Sequence, residues 1–262
     1  MMKKLLIGLF ALSVNVLPAM AAGPSVPLME AGNDISDQPS LQRGAKLFMN
    51  YCLGCHQMQY QRYERTFRDI GIPTEIGQEQ LIFDGSKVGS HINNAMKKED
   101  AAKWFGAAPP DLTNVARVRG SDWIYTYLKS FYKDESRPFG VNNTLFPSVG
   151  MPHVLQELQG VPTAITEEVT VNGKTTTHIT GTKTDGTGEL SVDEYDQAVR
   201  DLTNFLEYVG EPTRLESEAL GIKVLGFLVI LFILAFMLKK EYLMFLFLKT
   251  LVNQQEKVLD KN

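Results

Sequence analysis

Apolar residues recur at helical spacing in two segments, one near each end of the region between residues 40 and 210. From Ser40 to Cys52 they fall three or four positions apart, which predicts a helix with Ser40 as its N-cap. A second helix is predicted from Val192 to Val209, because Ser191 and Glu194 have the spacing of a capping box. We expect these two helices to cross and close a small helical domain.

Two further helices are predicted between them. Asp122 to Tyr132 is amphipathic, with Trp123, Tyr127 and Phe131 on one face. His91 to Phe105 is polar and is also expected to be helical.

The segment 167–188 differs in composition, because it is rich in Thr and Gly. Two β-prone runs, 169–171 and 174–180, flank the dipeptide Asn172-Gly173. This pattern is typical of a β-hairpin with a type I′ turn. We interpret the hairpin as a surface insertion rather than a domain.

A long apolar run lies near the C-terminus. Ala219 to Leu238 is apolar except for Lys223, and about 20 helical residues span the hydrocarbon core of a bilayer. Lys239 and Lys240 follow the run, whereas glutamates precede it. This asymmetry predicts a single transmembrane helix with a cytoplasmic C-terminus. The apolar stretch 242–252 is interpreted as an interfacial continuation of the same helix.

The N-terminus has the pattern of a secretory signal. Lys3 and Lys4 precede an apolar run, and Ala19-Met20-Ala21 is a small-x-small cleavage pattern. The alternative is an N-terminal anchor that is retained. Under both interpretations, the residues that follow are exported.

Removing residues 1–21 changes the net charge from -4 to -6. An acidic chain argues against binding nucleic acid and suits a basic protein partner.

The only two cysteines lie in the sequence Cys52-Leu53-Gly54-Cys55-His56. This is the Cys-x-x-Cys-His signature of c-type haem attachment, in which two thioethers hold the porphyrin and the histidine binds the iron. A disulfide, a thioredoxin-like redox pair and half a zinc site are the alternatives. A zinc site needs a second pair of ligands, and no other cysteine exists. One covalently attached haem c is therefore predicted.

The second axial ligand is the next question. Nine of the ten methionines lie in the signal, in or beside the membrane segment, near the attachment motif, or in loose or polar segments. Met151 remains, in a loop that Gly150 and Pro152 keep out of helical conformation. His153, a vacant iron position and a methionine that merely fills the core stay open as alternatives.

A proline-rich turn, Ala108 to Leu112, precedes Arg117 and Arg119. A guanidinium at this point can pair with a haem propionate or remain solvated, and the residues alone do not decide between the two.

The order of four features resembles the cytochrome c1 family, the haem c subunit of the bacterial quinol:cytochrome c oxidoreductase (cytochrome bc1) complex. The features are Cys52-x-x-Cys55-His56 followed by Tyr60 and Tyr63, Pro109 to Thr113 with the arginines after it, Gly150-Met151-Pro152, and a C-terminal anchor with lysines just beyond. The hairpin at 167–188 is a variable region, so none of its contacts carries over.

This resemblance implies that Met151 is the axial ligand and that Arg119 lies near a propionate. It also implies an inner-membrane protein whose haem domain is periplasmic. The expected electron donor is the Rieske iron–sulfur protein and the acceptor a cytochrome c, with cytochrome b as the membrane neighbour in a dimeric complex.

The predicted fold is mainly α: a cytochrome c-like haem domain with a surface β-hairpin insertion and a single C-terminal transmembrane helix. The expected divisions are a signal peptide (1–21), a haem domain (22–212), an anchor (213–240) and a cytoplasmic tail (241–262). The isolated chain is expected to be an electron-transfer subunit, not an enzyme. A free-standing membrane-tethered carrier and a haem enzyme such as a peroxidase are the alternatives.

Overall fold

The computed structural model describes residues 26–171 and 174–259, so the predicted signal segment lies outside it. The chain divides into two compact units, with the division between Gly210 and Glu211. Each unit is described separately below.

The first unit is mainly helical. Its helices are α1 (Gln38–Leu47), α2 (Tyr63–Asp69), α3 (Thr74–Gln80), α4 (Lys98–Phe105), α5 (Val115–Arg119), α6 (Ser121–Lys129), α7 (Gln156–Gln159) and α8 (Val192–Gly210). Its strands are β1 (Met58–Arg62), β2 (His91–Ile92), β3 (Phe131–Lys133), β4 (Val141–Asn143), β5 (Thr163–Val171) and β6 (Lys174–Lys183). They pair as three antiparallel ladders, β1 with β2, β3 with β4 and β5 with β6, which confirms the mainly α prediction with a β-hairpin.

The core forms where α1 packs against α8, as predicted for the two long amphipathic helices. Phe48, just after α1, meets Phe205 of α8 with ring centroids 5.9 Å apart. The predicted apolar stripe of α8 is buried at every position: Tyr195, Val199, Leu202, Phe205, Leu206 and Val209. Helices α5 and α6 also pack against α8. Helix α8 is therefore the element on which the rest of this unit is assembled.

The start of α1 corrects one prediction. The helix begins at Gln38, and Asp37 is its N-cap, with the carboxylate accepting a hydrogen bond from the Ser40 N–H at 3.1 Å. Ser40 is instead buried in the first turn, where its hydroxyl donates to Asp201 Oδ1 at 2.7 Å. The distant carboxylate on α8 gives the serine a different partner from the one its local sequence favours.

Two other predicted helices are shorter than expected. In the segment 91–105, His91–Ile92 is a strand paired with β1, and only Lys98–Phe105 is helical. Helix α6 ends at Lys129, and Phe131 belongs to β3, paired with Asn143 of β4. Burial of Phe131 beside strand β4 outweighs the helical spacing that predicted a longer helix.

The predicted hairpin is present and extends beyond its expected limits, with Thr163 opposite Lys183 at its base. Its predicted turn, residues 172–173, lies outside the described residues. The base is held by two contacts: the Lys133 N–H donates to the Pro162 carbonyl at 2.7 Å, and the Thr182 hydroxyl donates to the Lys129 carbonyl at 3.3 Å.

The second unit is one helix, α9 (Arg214–Leu259). Its portion Arg214–Lys249 is apolar and long enough to cross a membrane. This single helix fits the predicted transmembrane anchor, and the helix continues through the apolar stretch that begins at Tyr242.

Candidate haem site

Four of the predicted site residues line one cavity. Cys52, Cys55, His56 and Met151 all contribute to a pocket of about 360 Å³. Most of the remaining wall is apolar, with aromatic side chains from α4 and α6 and leucines from α8. A largely apolar cavity of this size with a few converging polar groups is typical of a cofactor site.

A π-helical turn carries the first cysteine into the cavity wall. The turn spans Phe48–Cys52 at the end of α1, and the Leu53 N–H closes it on the Phe48 carbonyl at 2.9 Å. A π-turn inserts one extra residue into a helix and so rotates the side chains that follow it. Phe48 therefore packs on α8 while Cys52 lines the cavity. The His56 N–H then bonds to the Cys52 carbonyl at 2.8 Å, which turns the chain after the motif.

Cys52 and Cys55 do not form a disulfide with each other. Burial raises the pKa of Cys52 to about 12, with a smaller contribution from Cys55, and burial also raises the pKa of Cys55. A thioredoxin-like redox pair has the opposite property, because it needs a thiol whose pKa is lowered. The electrostatics of the motif therefore do not favour the redox-pair alternative.

The ring of His56 is oriented by a carbonyl from the proline-rich turn. His56 Nδ1 lies 2.8 Å from the Pro110 carbonyl oxygen, and a carbonyl can only accept, so Nδ1 carries the proton. The other ring nitrogen, Nε2, then has a free lone pair. Burial lowers the pKa of His56, against the smaller opposing effects of Pro110 and of the Asp111 charge. A neutral imidazole with Nδ1 bonded to a carbonyl is the usual state of a metal-binding histidine.

The turn that supplies this carbonyl is itself fixed. The Leu112 N–H donates to the Gln57 carbonyl at 2.8 Å. The Asp111 carboxylate accepts from the Gln59 N–H at 2.8 Å and from the Thr113 N–H at 2.9 Å. The proline-rich turn is thus tied to the strand that follows the motif.

Met151 lies in a non-helical loop, as predicted. Gly150 allows this loop to pass close to the end of α4, because a Cβ at this position would lie 2.9 Å from the Phe105 carbonyl oxygen. The Tyr127 hydroxyl donates a hydrogen bond to Met151 Sδ at 3.4 Å. Burial raises the pKa of Tyr127, so this hydroxyl remains protonated at neutral pH.

Two other candidates lie apart from these four. Arg119 is exposed and does not line the cavity; its guanidinium carbon lies 5.0 Å from the ring centroid of Trp123, which does. His153 is buried and stacks on Phe131 with ring centroids 4.9 Å apart, and it too is absent from the cavity wall in the described part of the chain. Burial lowers the pKa of His153 to about 4.

Sequence reasoning missed two contacts that position side chains of this site. The Pro110 carbonyl is a backbone group, and no residue type marks it. Tyr127 was identified only as one member of an apolar face, and its helical spacing from Trp123 gave no indication that the hydroxyl meets Met151.

The residues present fit a covalently attached haem. Two cysteine sulfurs outside a disulfide, one imidazole with its proton on Nδ1 and one thioether border the same apolar cavity. Histidine with methionine is an axial ligand pair of c-type cytochromes.

Comparison with known proteins agrees with this fit. The model of the cytochrome c1 family matches residues 31–245. The chain belongs to the cytochrome c1 family. Proteins of this family carry one covalently attached haem c and transfer electrons in the bc1 complex, an oxidoreductase in which the cytochrome c1 chain alone is not the catalyst. This chain is accordingly a haem c protein of electron transport with a membrane anchor.

Individual relatives cover most of the chain. Cytochrome c1 of Allochromatium vinosum is 53% identical over 92% of this chain and 98% of its own length. A protein of Nitrosomonas europaea named ammonia monooxygenase gamma subunit is 43% identical over 89% of this chain and 95% of its own length. Cytochrome c1 of Rhodospirillum rubrum is 28% identical over 74% of this chain and 77% of its own length.

Proposed function

We propose that Cys52 and Cys55 bind the haem covalently, that His56 and Met151 are its axial ligands, and that the chain passes electrons from a Rieske iron–sulfur protein to a cytochrome c. The observation that carries this proposal is the meeting of these four side chains around one apolar cavity. Nothing in the local sequence of the Met151 loop requires it to lie beside a motif 95 residues earlier in the chain.

The residues of the chain have separate tasks in this proposal. When bound, the haem supplies a one-electron iron couple. His56 is held by the Pro110 carbonyl, so its Nε2 lone pair keeps one direction and does not have to reorient. Met151 supplies a thioether, which favours a higher reduction potential than a second imidazole would. The apolar wall excludes water from the iron, which also tunes the potential.

Arg119 is proposed to lie near a haem propionate. Its guanidinium stacks on Trp123, and Trp123 borders the cavity. Only the Trp123 ring therefore separates this positive charge from the cavity. Stacking on an aromatic ring leaves the edge N–H groups of a guanidinium available to a carboxylate.

The proposed partners follow from the family and from the anchor. Cytochrome b is the proposed neighbour in a dimeric complex, because a single apolar helix forms an anchor and gives little room for a quinone pocket. The mature net charge of -6 suits a basic cytochrome c as acceptor, through electrostatic steering.

The proposed location is the inner membrane, with the haem domain in the periplasm. Lys239 and Lys240 at one end of the apolar run and Glu216 and Glu218 at the other support a cytoplasmic C-terminus. The proposed divisions are a signal peptide (1–21), a haem domain (22–212), an anchor (213–240) and a tail (241–262). The division of the structure between Gly210 and Glu211 supports the boundary between haem domain and anchor.

Replacing Met151 tests the ligand assignment. In the full chain with its haem attached, Met151→Ala should lower the reduction potential, abolish the sulfur–iron charge-transfer band of the oxidised protein and let carbon monoxide bind the reduced iron. Met96→Ala is the matched control, because Met96 does not border this cavity. A Met151→Ala protein with the wild-type potential, its charge-transfer band intact and no affinity for carbon monoxide would show that another group binds the iron.

Purification tests the complex. Extraction of the native protein in mild detergent should yield haem b and an iron–sulfur subunit together with this chain. A haem c protein recovered without either would favour the free-standing membrane-tethered carrier.

A further inference from the structure

The Tyr127 hydroxyl lies beside the proposed axial sulfur and has no role in the mechanism described so far. It donates to Met151 Sδ at 3.4 Å, from a different element and across 24 residues of sequence. A thioether sulfur has two lone pairs and is a weak hydrogen-bond acceptor. One lone pair can bind iron while the other accepts this hydrogen bond.

Three aromatic rings hold the tyrosine in place. Its ring stacks on Trp123 with centroids 5.1 Å apart, and it makes edge contacts with Phe131 at 5.2 Å and Phe146 at 6.5 Å. The Tyr127 carbonyl also accepts a hydrogen bond from Asn143 Nδ2 at 2.8 Å. A tyrosine restrained on several sides presents its hydroxyl in one direction at little further entropic cost.

We propose that Tyr127 is a positioning residue whose hydroxyl orients the Met151 thioether and sets its strength as an iron ligand. This inference rests on the proposed ligation by Met151. It concerns the hydrogen bond that the sulfur accepts from Tyr127, which is a separate property from the binding of iron by that sulfur.

The sign of the effect follows from charge. The hydroxyl proton draws electron density from the sulfur, and the positive end of the O–H dipole points at the sulfur. Both effects disfavour the more positive, oxidised iron, because that state gains most from a strong sulfur donor. The hydrogen bond therefore raises the reduction potential.

Tyr127→Phe removes the hydroxyl and keeps the ring. Only the difference in the strength of this hydrogen bond between the two oxidation states changes the potential, so the full effect of a neutral hydrogen bond, about tenfold in an equilibrium constant, is an upper limit. In the full chain with attached haem, a redox titration should therefore show the potential lowered by up to about 60 mV, at about 59 mV per tenfold for one electron. The sulfur–iron charge-transfer band should remain, since Met151 is still present.

Tyr195→Phe is the matched control. The Tyr195 hydroxyl is also buried and donates a neutral hydrogen bond, to the Leu128 carbonyl at 3.1 Å, but Tyr195 does not line the cavity. This variant should keep the wild-type potential, although it too loses one hydrogen bond. Tyr127→Leu removes the ring together with the hydroxyl and should also lower the potential.

The outcomes separate the two proposals. If the oxidised wild-type protein lacks the sulfur–iron band, the ligation by Met151 fails and this inference fails with it. If the band is present and Tyr127→Phe has the wild-type potential, only the role of Tyr127 is overturned. If the reduction potential falls in Tyr127→Leu but not in Tyr127→Phe, the effect belongs to the aromatic ring. That outcome would also overturn the proposed role of the hydroxyl.

Discussion

At the scale of single residues, the crossing of α1 and α8 depends on the absence of one side chain. A Cβ on Gly44 would lie 2.1 Å from the Asp201 carbonyl oxygen and 2.7 Å from Phe205 Cβ. This close approach also brings the Asp201 carboxylate within 2.6 Å of Arg43 Nε and 2.7 Å of the Ser40 hydroxyl. The glycine thus permits both the packing and the polar contacts between α1 and α8.

Gly44→Ala should destabilise the first unit by about 3 kcal/mol or more, because the Asp201 backbone carbonyl and the Phe205 Cβ are fixed in α8 and cannot move away from the new methyl group. The midpoint of guanidinium unfolding of the full chain in detergent, followed by Soret circular dichroism, measures this loss. Gly89→Ala is the control, since its new Cβ would meet nothing within 4 Å. Equal midpoints for the two variants would contradict the close-packing account.

At the scale of elements, α8 begins with a complete capping box. The Ser191 hydroxyl and N–H both donate to Glu194 Oε2, at 2.7 Å and 2.9 Å. The Glu194 N–H in turn donates a hydrogen bond to Ser191 Oγ at 3.4 Å. This reciprocal pair satisfies backbone groups that the first turn of a helix otherwise leaves without partners. Because α8 is the element on which the first unit is assembled, a weaker start to this helix affects the whole unit.

Ser191→Ala should lower the free energy of unfolding by about 1 kcal/mol, the usual cost of losing an N-cap. Ser191→Thr keeps a hydroxyl and should retain most of that stability. Guanidinium unfolding of the two variants beside the wild type gives the comparison. If alanine and threonine are equally stable, the hydroxyl does not contribute as a cap.

At the scale of the whole first unit, one carboxylate joins three parts of the chain. Asp196 on α8 pairs with Lys129 and accepts from the Tyr125 hydroxyl, both on α6, and it accepts from Arg200 Nη2 at 2.9 Å. Arg200 also donates to the Ala31 carbonyl in the N-terminal stretch. Burial raises the pKa of Asp196, but the hydrogen bonds from Lys129, Tyr125 and Arg200 outweigh it and hold the pKa at about 2, below the ordinary 3.8.

This network predicts an acid-sensitive contribution to stability. The folded-state pKa is lowered, so the stabilisation is present above pH 3.8 and is lost as the pH falls towards about 2. Asp196→Asn should therefore be less stable than the wild type at pH 7, and the difference should shrink across that acid range. Unfolding midpoints measured between neutral and acid pH test this. Asp100→Asn is the control, because Asp100 pairs with Lys103 at the surface. Parallel pH profiles for wild type and Asp196→Asn would contradict the prediction.

The predictions that failed have one physical cause. Ser40 has the residue type of an N-cap, and Phe131 has the spacing of a helical face, yet both adopt other roles. Ser40 contacts Asp201 and Phe131 pairs with β4, both distant segments of the chain. In each case this contact contributes more to the stability of the fold than the local preference does. Local preferences amount to fractions of a kcal/mol, so one buried contact can reverse them.

The sequence by itself determined the features that depend on near neighbours: the attachment motif, the capped amphipathic helix α8, the hairpin and the apolar anchor. Each is encoded by spacing within one or two turns, or by an uninterrupted apolar run. The tertiary structure alone decided that the Pro110 carbonyl orients His56, that Tyr127 meets Met151, and that Arg119 stacks on Trp123 outside the cavity wall. The first two of these contacts join residues 54 and 24 positions apart, and only the packed chain brings such atoms within bonding distance.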